Sequence, residues 1–177
     1  MMQIIKYGFS IIIVVFLKLQ YGRKMSINWR QLLHPSTVIK IDGNGKVSLG
    51  RITRTRRNCT LLCLDGELVI GKGLFMNQNA MITCVHSIEI GDNVTIANNV
   101  VIVDHDHNYK KDVDTQFVSQ KVTIGDNTWV GANVTILKGA NIGHDCVIAA
   151  GTVVRQGNYP PFSIIYNKQD IAFKSYK

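Results

Sequence analysis

The 177-residue chain has few aromatic side chains: two Trp, six Tyr and six Phe. With hydrophobic residues at 46%, a core can still be buried, but it must be aliphatic, which suits a narrow interior of stacked Ile and Val. No CxxC pair occurs among Cys59, Cys63, Cys84 and Cys146, and Cys63 and Cys84 lie within apolar runs. These are expected to be buried, reduced thiols of a cytosolic protein. No apolar run reaches the ~20 residues of a membrane-spanning helix. The stretch from Phe9 to Leu17 is nearly all apolar and extends loosely to Tyr7 and Leu19, with Lys6 and Lys18 at its ends. No A-x-A-like site follows, which argues against a cleaved signal peptide. The expectation is a helix packed on the fold or lying in a membrane interface, in a cytoplasmic protein with at most weak peripheral contact at the inner face of the membrane. Acidic residues are outnumbered, giving a net charge of +8. Helix-turn-helix, RNP-like and zinc-knuckle patterns are absent, so no nucleic-acid partner is expected; phosphorylated cofactors and acidic membranes account for the charge equally well.

What the chain does have is a period of six. Ile124, Val130, Ile136, Ile142, Ile148 and Val154 fall on every sixth position, with Gly125, Gly131, Gly143 and Ala149 directly after four of them. Thr128, Val134, Ala140, Cys146 and Thr152 recur four places after the aliphatic residues. This is neither the helical period nor plain strand alternation. It is the signature of a strand-built solenoid, in which three hexads make one triangular coil of about 18 residues. Upstream the rhythm runs Leu64, Ile70, Met76, Ile82, Ile88, then shifts by two to Ile90, Ile96, Ile102, which calls for a two-residue corner insertion near His86. The predicted organisation is an apolar, helical segment over 1–30, an all-β solenoid of parallel coils over 31–159, and a tail over 160–177. The region from His34 to Cys63 reads as an imperfect first coil, since terminal repeats are atypical.

After Ile102 the rhythm stops until Ile124. The segment Val103 to Lys121 carries Asp104, His105, Asp106, His107, Asn108, Tyr109, Lys110, Lys111, Asp112 and Asp114. Such an excursion is long for a structural connection, and insertions in solenoids often build the binding face. Chemistry is expected here.

Three stretches resemble the hexapeptide acyltransferases, left-handed β-helix enzymes that move acetyl from acetyl-CoA: Ile90 to Ile102 running into Asp104-His-Asp-His107, Ile124 to Gly139, and Val147 to Val154 followed by Pro160-Pro161. The likeness is greatest to the galactoside, maltose and polysaccharide O-acetyltransferases, and covers about Leu64 to Ile165. It implies direct acetyl transfer from acetyl-CoA to a saccharide hydroxyl, without a covalent enzyme intermediate or metal, in a homotrimer with active sites between subunits.

Gap-free alignment from Ile90 places the family's histidine base on His107 rather than His105. An imidazole with a pKa near ~6.5 suits removal of the proton from a poor hydroxyl nucleophile. Asp104 or Asp106 would hold the ring within the acceptor pocket. Asn77 matches the acceptor-binding asparagine, with Asn79 as competitor. Gly131, Ala132, Ala149 and Ala150 match the backbone groove for CoA, where a backbone N–H near Ala132 would serve the oxyanion, and Trp129 matches a wall of the acetyl pocket. The C-terminus departs from the family's pattern: only Asn167 matches cleanly and Asp170 replaces a base, leaving Arg155 or Lys168 for the nucleotide phosphates. Arg51, Arg54, Arg56 and Arg57 form a solvated end face or receive a phosphorylated acceptor. Weighed against this reading are an N-acyltransferase of amino-sugar nucleotides, a γ-type carbonic anhydrase, whose three-histidine spacing is not reproduced, and a non-catalytic saccharide-binding solenoid.

Overall fold

The computed structural model describes residues 2–109 and 116–168, with side chains from residue 9 onward. Short strands stack into three parallel sheets that close a triangular prism, the left-handed β-helix expected of hexapeptide repeats. We name the sheets faces A, B and C. Face A stacks Leu49, Ile70, Ile90, Ile124, Ile142 and Tyr159 in register. Face B stacks Thr55, Met76, Ile96, Val130, Ile148 and Ile165. Face C stacks Ile39, Leu61, Ile82, Ile102, Ile136 and Val154. Almost all of these residues are buried, and the core is aliphatic, as the scarcity of aromatics requires.

The register localises every irregularity. From face A to face B, and from face B to face C, the inward residues are six apart in every coil, as in Ile70, Met76, Ile82. From face C to face A the steps vary: Ile39 to Leu49, Leu61 to Ile70, Ile82 to Ile90, Ile102 to Ile124 and Ile136 to Ile142. The two-residue insertion predicted near His86 is therefore real, with Val85 and His86 between the strands Met81–Cys84 and Ser87–Ile90.

The constant edges are held by asparagine. At the B–C edge Asn58, Asn79, Asn99 and Asn133 adopt φ of 56 to 59°, a left-handed conformation that asparagine tolerates. Their side chains bond coil to coil, Asn58 to Asn79, Asn79 to Asn99 and Asn99 to Asn133, at 3.1 to 3.4 Å. The A–B edge repeats the device with Asn93, Asn127 and Asp145.

The early coils are more regular than the sequence suggested. The strand Met25–Ile27 already pairs with Lys46–Leu49, ahead of residue 31. Leu64 is only half-buried, while Leu61 and Cys63 supply the inward residues at its coil. The N-terminal helix Met2–Tyr21 lies across the open end of the first coil. Val14 and Leu17 are buried, Ser10 bonds the backbone of Leu33, and the Tyr21 hydroxyl donates to the Ile39 carbonyl on the edge strand of face C. Among the described residues no helix is long and apolar enough to cross a membrane.

Candidate functional site

The excursion leaves the prism at the C–A edge as a hairpin: His105–His107 pairs antiparallel with Phe117–Ser119. Residues 110–115, including Lys110, Lys111, Asp112 and Asp114, lie outside the described residues. His105 and His107 both point onto the Phe117 ring, with ring centres 4.9 and 5.0 Å from it, and stand 6.4 Å from each other. The rings differ in surroundings. His107 is exposed, whereas the His105 side chain is only 11% exposed, with Nδ1 3.0 Å from Asp104 Oδ1.

Asp104 lies in the interior of the prism and not on an open pocket wall. It is fully buried, two positions after the inward Ile102 on face C, the offset that Cys63 has from Leu61 and Cys84 from Ile82. Its carboxylate accepts the backbone N–H of Val85 at 2.9 Å and those of His86 and Ser87 at 2.7 Å each. It thus pins the two-residue insertion and the root of the hairpin together and faces His105, not His107. Asp106 points outward and pairs with Lys138 at 2.7 Å.

Asn77 and the small-residue candidates gather on the opposite border of face C. At the B–C edge the first corner position is held successively by Arg56, Asn77, Ala97, Gly131 and Ala149, and the second by Arg57, Gln78, Asn98, Ala132 and Ala150, as the strand register requires. Asn77 is the one uncharged polar residue in its column. Its side-chain oxygen accepts the Gln78 N–H at 2.9 Å, so it both braces its corner and keeps its amide donors. Asn79 belongs to the asparagine ladder. Gly131 is required by close packing: a Cβ there would stand 2.7 Å from Ala150 N and Ile148 O. Among the described residues the backbone N–H groups of Asn98, Ala132 and Ala150 make no hydrogen bond, so this edge presents a row of free donors beside small side chains. Trp129, two residues before the Gly131 corner, stands on face B and is 53% exposed.

Arg155 and Lys168 are exposed, and the Arg155 carbonyl accepts the Tyr159 hydroxyl. Asn167 bonds both backbone groups of Val153 through its amide, extending face C in place of a strand. Asp170 lies outside the described residues. Among those described, no group of three His, Cys, Asp or Glu is placed to hold a metal. A shallow groove of about 460 Å³ on face A, lined by Gly71, Glu89, Gly91 and Gly125 among others, contains none of the predicted site residues.

Two stretches match family models: residues 121–156 match bacterial transferase hexapeptide (six repeats), and residues 68–103 match the hexapeptide repeat of succinyl-transferase. The chain is 36% identical to galactoside O-acetyltransferase of Escherichia coli strain K12 over 94 residues, 52% of this chain and 46% of that protein. It spans about half the length of the curated relatives it matches. A galactoside acetyltransferase solved in complex with coenzyme A superposes with a TM-score of 0.50 and 25% identity, covering 75% of this chain and 60% of that one. The fold is also shared with an N-acyltransferase from Bacillus cereus, at a TM-score of 0.70 and 18% identity over 84% of this chain and 80% of that one.

Proposed function

We propose that this hexapeptide-repeat protein is an acetyl-CoA-dependent O-acetyltransferase acting on a saccharide, with His107 as general base. The observation that carries the reading is the division of the candidate residues between the two borders of face C. One border holds the histidine hairpin, and the other holds Asn77 with the small residues and free amides at Ala132 and Ala150. The E. coli relative, a galactoside O-acetyltransferase by name, supports the acceptor class.

In this mechanism Asn77 orients the acceptor through its amide. His107 accepts the hydroxyl proton as the oxygen attacks the thioester carbonyl, and the N–H of Ala132 receives the developing oxyanion. Collapse of the tetrahedral intermediate expels the CoA thiolate, which takes the proton back from the imidazolium. The side chains of Gly131, Ala149 and Ala150 are small enough for pantetheine to reach the backbone, and Arg155 and Lys168 are available to its phosphates. A second reading exchanges the histidines, because His105, of the two in the hairpin, is the one with a carboxylate at its Nδ1.

Acetyl-CoA consumption against a panel of sugars and amino sugars, followed by release of free thiol, tests the reading. All four cysteines are at most 1% exposed. The Cys84 thiol is pushed up by its hydrogen bond with Cys63, by burial and by the Asp104 carboxylate, and the Cys59 thiol is pushed up by burial, whereas the same hydrogen bond draws the Cys63 thiol down, so that burial is what shields Cys63. The native protein is therefore expected to give no thiol signal of its own with an aromatic disulfide reagent near neutral pH, and to give four thiols on unfolding. A rapid native reaction would show that one of these thiols is accessible. No turnover on any hydroxyl acceptor, or turnover on amino sugars only, would overturn the O-acetyl reading.

The two borders also lead to an oligomer. A face is crossed by about four extended residues, ~13 Å. An acceptor held by Asn77 therefore meets the hairpin most directly when the C–A edge of one subunit borders the B–C edge of the next. Light scattering is expected to give a trimer of about 60 kDa, three times the 19.8 kDa chain. A stable monomer at micromolar concentration would rule this out.

A further inference from the structure

From Phe9 onward, where its side chains are described, the helix Met2–Tyr21 buries Ser10, Val14 and Leu17 against the first coil, with Ile13 and Tyr21 partly buried beside them. Its outward arc should be polar in a water-facing helix. Instead it carries Phe9, Ile11, Ile12, Val15, Phe16 and Leu19, between 43% and 81% exposed. Lys18 and Gln20 are the exposed polar residues of the same segment. Beside this apolar plate, in the first coil, Trp29 is 59% exposed with the Arg30 guanidinium 4.8 Å from its ring centre.

A second observation concerns charge. In a solenoid, position along the sequence becomes position along the axis. Residues 1–64 hold eleven of the twenty Lys and Arg and one of the twelve Asp and Glu, a formal net of +10 against −2 for the remainder. The protein is therefore strongly polarised along its axis, with the positive pole at the end that carries the apolar helix. Arg23, Arg30, Arg51, Arg54, Arg56 and Arg57 are exposed there, and among the described residues none is in an ion pair with an acid.

We propose that this end is a docking plate for an anionic phospholipid bilayer. The helix lies in the plane of the interface with Phe9, Ile12, Phe16 and Leu19 among the acyl chains, Trp29 sits at headgroup level, and the arginines contact lipid phosphates. The apolar arc alone would equally suit a second protein copy. The concentration of unpaired positive charge around it selects the anionic surface, because two such ends brought together would repel. In a trimer with parallel axes all three plates face one way, so a single membrane engages three helices at once and avidity multiplies the attachment.

The test is sedimentation of the full chain with vesicles of phosphatidylcholine alone and with about one third phosphatidylglycerol. Binding to the anionic vesicles is expected to exceed binding to neutral ones at least tenfold at low salt, and to fall several-fold at 0.5 M salt. Ile12→Glu with Phe16→Glu should abolish binding while the circular dichroism spectrum and oligomer mass stay unchanged, since both side chains are exposed. Arg51→Glu with Arg54→Glu should weaken it at least fivefold with the helix intact. Equal binding to both vesicles, or no binding to either, overturns the proposal. A halved particle mass in the Ile12→Glu, Phe16→Glu variant also overturns it, by showing that the face joins copies of the chain.

Discussion

His107→Ala is expected to lower turnover on the preferred saccharide by 10²- to 10⁴-fold, with acetyl-CoA affinity nearly unchanged. The ring is exposed on the hairpin, outside the coil core, so its removal takes away the proton acceptor and leaves the coil packing intact. His105→Ala should cost much less rate. That ring is held between Asp104 and Phe117 and has little surface left for an acceptor. The comparison of the two variants decides between the histidines. A larger loss at His105 would assign the base to the residue that Asp104 orients, and equal losses would mean that the hairpin acts as a unit. Measuring kcat and KM separately is essential, because a base contributes in the transition state, whereas a residue that only shapes the pocket appears in KM.

Asp104→Ala is expected to be the most damaging single change to stability, by about 3–5 kcal/mol, the range for breaking a buried charged network by removing one partner. The backbone N–H groups of Val85, His86 and Ser87 all lose their acceptor, a carboxylate that is itself fully buried. Asp104→Asn keeps one carbonyl oxygen but turns an amide N–H toward a donor, so an intermediate loss should follow. Denaturant titration of the three proteins gives the order. An alanine variant within about 1 kcal/mol of the parent would mean that water replaces the carboxylate, contrary to its complete burial.

Much of this molecule was legible in the order of its residues, for a reason particular to solenoids: each coil repeats the last, so packing is written as a period. The reading from Ile124 to Val154 transfers directly to the stacked faces, because that run contains no step longer than six. The early coils read as irregular because each includes one longer step at the C–A edge, which resets the count although faces A and B remain in phase. Leu64 fits the rhythm by number but not by direction, because Leu61 and Cys63 already occupy the inward positions. Asp104 was placed with His107 on the ground that both belong to the excursion. The overlooked signal was the alternation Leu61/Cys63, Ile82/Cys84, Ile102/Asp104, which puts the carboxylate at an inward position. Asn77 and Asn79 look alike in sequence. Only the left-handed backbone at Asn79 separates the ladder residue from its neighbour.

The confinement of every length change to one edge has a consequence for how the protein can be altered. Two edges are clamped at fixed step by asparagines that bond from coil to coil, so a residue added there would throw all later coils out of phase. The third edge already accommodates turns of different length and a long hairpin without disturbing the stack above it. It is a built-in grafting port: loops of foreign length and composition can be spliced between His107 and Phe117, which keeps the paired strands and both histidines while the prism keeps its phase. Engineering a new acceptor preference therefore calls for exchanging one loop beyond His107, not for redesigning a scaffold.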